Sequence, residues 1–136
     1  MKTILSFVIL FFLALGLNAD NGHQLWLRSK SSVSVQVICK KSSETLAIAK
    51  QELQQAWQGE AGQTVRLELI RDKQIAGDGF RLSAEGIQAT TESGILYGVY
   101  ELLRRQQTGK KIGEELVNPT WEHRLLNHWD NLDGTV

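Results

Sequence analysis

The 136-residue chain has one cysteine, one proline and no surplus of either charge. A single cysteine excludes an internal disulfide and a cysteine-based zinc cage. Fifteen basic residues against fifteen acidic ones leave a formal net charge of zero. That balance gives no electrostatic footprint for nucleic acid or an anionic membrane. The hydrophobic share, 42%, is ordinary, so long-range disorder is excluded as well. The length fits one domain and is short for two.

Only one long apolar run is present, from Ile4 to Leu17, broken by Ser6 and Gly16. A spanning helix needs about 20 apolar residues, and this run is shorter. Lys2 precedes it, and Asn18-Ala19-Asp20 follows. A basic tip, an apolar stretch and a closing small residue predict a secretory signal peptide over 1–19, cut after Ala19. The alternative is an uncleaved N-terminal anchor. Leu17 stands where a small residue is preferred, so the bond itself is less well specified than the segment. Cleavage leaves 14 basic residues against 15 acidic ones. The expectation is an exported protein, periplasmic or extracellular, with no membrane attachment after cleavage.

The mature chain opens on a period of two. Val33, Val35, Val37 and Cys39 alternate with Ser34, Gln36 and Ile38, which predicts a strand with one buried face. Cys39 then reads as an inert, buried thiol. Ser42 or Ser43 can cap a helix running from Glu44 to about Gln58. Its stripe is Leu46, Ala49, Leu53, Ala56 and Trp57. A strand follows over Thr64–Ile70. Phe80–Ser83 and Gly86–Thr90, joined by a tight turn, predict a hairpin. Thr91 is placed to cap a second helix with the apolar face Ile95, Leu96, Val99, Leu102 and Leu103, closed by Gly109. Arg104 and Arg105 fall on its polar side. Gly94 and Gly98 each cost roughly 1 kcal/mol in a helix, a cost that close backbone packing would offset. Tyr97, Tyr100 and Trp57 read as packing residues, and Glu114-Glu115 as a solvated pair. The order β-α-β-β-β-α predicts an α/β domain, an α+β sandwich with a mixed sheet and both helices on one face, over 20–118. Pro119, after a short extended piece at 114–117, marks a boundary.

The stretch 119–136 is dense in polar and aromatic chemistry. It fits the first strand of a (β/α)8 barrel, whose strand ends carry active sites in that architecture. Arg124-Leu125-Leu126-Asn127-His128-Trp129-Asp130-Asn131-Leu132-Asp133-Gly134 closely resembles the first-barrel-strand motif of α-glucuronidases of glycoside hydrolase family 67. The helix sequence from Glu92 to Arg104 resembles the last helix of that family's N-terminal domain, and also that of β-hexosaminidases. Gly22-His23-Gln24-Leu25-Trp26-Leu27-Arg28 is similar to the family's opening. The resemblance covers the mature chain and only the front part of a family member, so it implies a barrel truncated within its first strand.

The resemblance implies an enzyme that removes α-1,2-linked (4-O-methyl)glucuronic acid from xylo-oligosaccharides with inversion. A carboxylic acid and a carboxylate would flank the bond, spaced to admit water. In the family those carboxylates stand on later barrel strands, so this chain alone is expected to be inactive. Trp129 corresponds to a tryptophan lining the sugar pocket. Asn127, His128, Asp130 and Asn131 correspond to the rest of that strand end and are the expected substrate-binding residues. None corresponds to a catalytic acid or base. No cofactor is implied, the partner is a glucuronoxylan-derived oligosaccharide, and a homodimer would need the missing domains. Asp130 and Asp133 could instead be an acid/base pair, but residues three apart at a strand end do not share a face. His123, His128 and Asp130 lack the further ligand and supporting shell of a metal site. The other reading is a non-catalytic α/β module that binds carbohydrate or protein.

Overall fold

A computed structural model describes residues 30–121 of the chain. The predicted signal segment, the Leu-Trp-Leu-Arg opening and the barrel-strand motif lie outside the described residues. Within 30–121 the elements are β1 (Gln36–Cys39), α1 (Glu44–Ala56), β2 (Thr64–Leu69), β3 (Phe80–Ser83), β4 (Gly86–Ala89), α2 (Glu92–Thr108) and β5 (Glu115–Val117). The expected order is therefore present, and the short extended piece before Pro119 becomes a fifth strand.

The sheet order is β1-β2-β4-β3-β5. β1 and β4 both run parallel to β2, while β3 is antiparallel to β4 and to β5. The mixture follows from connection length. α1 supplies the long crossover that parallel β1 and β2 need, whereas two residues, Ala84 and Glu85, suffice for the β3–β4 hairpin. Gly86 closes that hairpin at φ 152°, a conformation that favours glycine, and a Cβ there would lie 2.1 Å from the Arg66 carbonyl oxygen. The close approach of β4 to β2 thus depends on the missing side chain.

Register assigns the two sheet faces. Val37 stands beside Val65, Leu67 beside Ile87, and Leu82 beside Ile87 in turn. With Phe80, Ala89 and the half-buried Leu69 and Val117, these residues form the apolar face. The other face carries Ile38, Arg66, Glu68, Arg81, Ser83, Gln88 and Leu116, which alternate with them.

Both helices cover the apolar face and pack on each other. α1 buries Leu46, Ala49, Leu53 and Ala56 as its stripe predicts. It ends two residues earlier than expected. Trp57 leaves helical geometry at ψ 129° so that its indole enters the core, where Nε1 donates to the Glu60 carbonyl at 3.1 Å. α2 begins at Thr91, whose hydroxyl accepts from the Gly94 N–H, and ends at left-handed Gly109. Its glycines lie against the hairpin. A Cβ on Gly94 would be 2.7 Å from the Gly79 carbonyl oxygen, and one on Gly98 would be 2.5 Å from Ile87 Cγ2.

Candidate functional site

The sequence-predicted substrate-binding residues Asn127, His128, Trp129, Asp130 and Asn131 lie outside the described residues. So do the three histidines. The nearest described part is the end of β5, where the chain leaves the domain through Asn118, Pro119 and Trp121. Three other places gather chemistry: the charged cluster where α2 meets β5, the open face of the sheet, and the carboxyl ends of the parallel strands.

The α2–β5 cluster has the strongest electrostatics. Glu101 accepts from Arg104 Nε and Nη2 at 2.7 Å each, and from Arg105 Nε at 2.7 Å. Arg105 Nη2 reaches across to Glu115 Oε2, also at 2.7 Å. Arg105 is not a solvated residue of the polar side, as the sequence suggested, but is 2% exposed. Glu114 and Glu115 are exposed, as a solvated pair should be, but Glu115 is also tied to Arg105. The burial of Arg105 goes with its two partners, Glu101 on its own helix and Glu115, which β5 brings within reach. Two carboxylates keep the buried guanidinium from being an unpaired charge. Hydrogen bonds from Arg104 and then Arg105 hold the Glu101 carboxyl down to about 2, against the opposing effect of burial.

Beside this cluster runs a groove of about 410 Å³ lined by Phe80, Tyr97, Tyr100, Arg104, Lys110 and Val117, among others. Tyr97 is 42% exposed there, where the sequence suggested a packing residue. Tyr100 is half-buried. Burial pushes its phenol up, and the nearby Glu52 carboxylate of α1 adds to the shift. No periodicity signal could have separated the two tyrosines. They are three apart, and Tyr100 lies beside Glu52 of α1.

On the open face, a cavity of about 370 Å³ is lined by Arg66, Glu68, Arg81, Ser83, Gln88 and Glu114, among others. Gln88 donates to Glu68 Oε2 at 2.9 Å. Arg81 Nη2 donates to Asp72 Oδ2 at 2.8 Å and to Gln74 Oε1 at 3.1 Å. The Arg81 hydrogen bond holds the Asp72 carboxyl below the usual range, helped by the Gln74 backbone N–H. The groups of this face largely satisfy one another.

The carboxyl ends of β1, β2 and β4 carry the N-termini of both helices, the usual ligand position in open α/β sheets. Here the protein's own acids occupy it. Ser43 caps α1 and donates to Glu92 Oε2 at 2.6 Å, and Thr91 donates to Asp78 Oδ1 at 2.8 Å. Glu92 and Asp78 thereby place negative charge at the two helix starts, as an external anion would. Cys39 stands near this end, half-buried, with its thiol donating to the Lys41 carbonyl at 3.2 Å.

Among the described residues, no group of three or more His, Cys, Asp or Glu side chains is arranged to hold a metal ion. Nor is any described helix long and apolar enough to cross a membrane. The chain matches no family model and no curated protein.

Proposed function

We propose that the chain is the N-terminal part of an exported α-glucuronidase acting on glucuronic-acid-substituted xylo-oligosaccharides, with 30–118 as a non-catalytic domain. The observation that carries this reading is the Asn127-His128-Trp129-Asp130-Asn131 run, which follows the α+β domain within ten residues. The helix motif supports it. Gly94 and Gly98, both inside the resembling stretch Glu92–Arg104, are the residues at which α2 touches the hairpin. In this reading the substrate's uronic acid meets Trp129 and its neighbours. The acid that protonates the leaving oxygen and the base that activates water belong to later barrel strands.

Two measurements test the proposal. The chain from Asp20 to Val136 should release no 4-O-methylglucuronic acid from aldouronic xylo-oligosaccharides. Release would overturn the assignment of the catalytic carboxylates to absent strands. The DNA beyond Val136 should encode the continuing barrel, in frame or after a frameshift, and a downstream sequence with no such coding capacity would count against the family reading.

A second reading, a carbohydrate-binding module, is favoured by Tyr97, an exposed ring beside Arg104 and Lys110 on a folded surface. It predicts that the chain is retained on xylan and that Tyr97→Ala abolishes retention. The first reading expects no retention in either case.

A further inference from the structure

β5 is held to the domain mainly by its side chains. It has three residues and pairs on one side only, with β3. Val117 is half-buried, while Glu115 and Leu116 are exposed. Three ladder positions, the half-buried Val117 and, in the connection before β5, the half-buried Ile112 that packs on the core contribute only modest apolar stabilisation. Two latches supply the rest. At one end Arg105 grips Glu115. At the other, Asn118 Nδ2 donates to the Gln74 carbonyl at 2.8 Å, and its Oδ1 accepts from the Ala76 N–H at 3.0 Å.

Both latches tie β5 to parts of the chain that precede it. The decisive feature is Arg105. Its guanidinium also donates to Glu101, four residues earlier on the same helix. Departure of Glu115 therefore leaves no unpaired charge in the domain, which is the outcome that would forbid it. Glu115 itself is 48% exposed and returns to water at little cost.

We infer that β5 is a detachable strap: residues 111–121 peel from β3 as one unit while β1–β4, α1 and α2, capped through the Lys110 N–H, stay folded. Openings of this sub-global kind occur below the free energy of global unfolding. Docked, the strap fixes where the chain leaves the domain. Released, its eleven residues reach up to about 36 Å. The segment after Trp121 then gains a long tether without any loss of the core.

Amide hydrogen exchange on the full chain at neutral pH tests this. Amides bonded across β3–β5 should exchange at least tenfold faster than those bonded across β2–β4. Glu115→Ala and Asn118→Ala should each speed the β3–β5 amides a further threefold or more, whereas Leu53→Ala, in the core that stays folded when the strap opens, should speed the β2–β4 amides and leave the β3–β5 amides unchanged. Equal exchange across the two pairings would overturn the inference. So would latch substitutions that leave the β3–β5 amides unaffected, or a Leu53→Ala substitution that accelerates both pairings alike.

Discussion

Gly98 of α2 lies so close over Ile87 of β4 that a Cβ at Gly98 would stand 2.5 Å from Ile87 Cγ2. Ile87 is fully buried, and that carbon sits on a branched, stiff side chain. The contact sets how deeply the helix sits on the hairpin, and it makes glycine substitutions informative.

Gly98→Ala should destabilise the domain by about 1–3 kcal/mol through overpacking, despite the roughly 1 kcal/mol that alanine gains in a helix. Gly86→Ala should cost more, because the obstacle there is the Arg66 backbone and φ is 152°. Gly113→Ala meets open space and should change stability by no more than about 0.5 kcal/mol. Urea unfolding midpoints of the three variants give the ranking, and Gly98→Ala at or above the parent would refute the tight-contact account.

The charged cluster should respond asymmetrically. Glu101→Ala leaves buried Arg105 with only the partly exposed Glu115, and should cost about 3 kcal/mol. Glu115→Ala leaves the Glu101 partner in place and should cost about 1 kcal/mol or less. Equal losses in chemical denaturation would show that the two carboxylates share the arginine evenly.

Acid should act through the same group. The Glu101 carboxyl is held at about 2 in the folded chain, against 4.5 for the free group. A lowered folded value stabilises the protein above the unfolded value, and that contribution is lost as pH falls from about 4.5 toward 2. It is on the order of 2–3 kcal/mol at most, given partial solvent access. Thermal melts from pH 6 to pH 2 should show a fall below pH 4.5 that is smaller in Glu101→Gln. An unchanged pH slope in that variant would remove Glu101 as the source.

Trp57 and Trp121 should report opposite environments. Trp57 is 2% exposed and Trp121 72%. Acrylamide should quench a variant retaining only Trp121 severalfold more than one retaining only Trp57. Trp57→Ala should cost about 3–5 kcal/mol, read from the same denaturation curves. Comparable quenching would contradict the buried indole.

Local elements were legible because their signals are local. Ser43, Thr91 and Gly109 cap as their chemistry requires, and the apolar periods assign the buried faces of β1, α1 and α2. Even the close packing of Gly94 and Gly98 could be anticipated from their cost in a helix. The misread residues all depend on neighbours distant in sequence. Arg105 looked solvated because nothing local announces that β5 returns to bring Glu115 within reach of it. Its i,i+4 partner Glu101 was visible, but an exposed pair and a buried one have the same spacing. The proposed substrate-binding run 127–131 rests on sequence alone.

The sheet order also has a kinetic consequence. β2 lies between two strands that run parallel to it, and neither pairing can begin from a tight turn. The β3–β4 hairpin, closed by two residues, is the one early nucleus that the sheet offers within 30–121. Loop closure between β2 and that hairpin, with β1 joining across α1, is then the expected rate-limiting search. Substitutions in the Ala84–Glu85 turn should slow folding, while those in β1 should mainly speed unfolding.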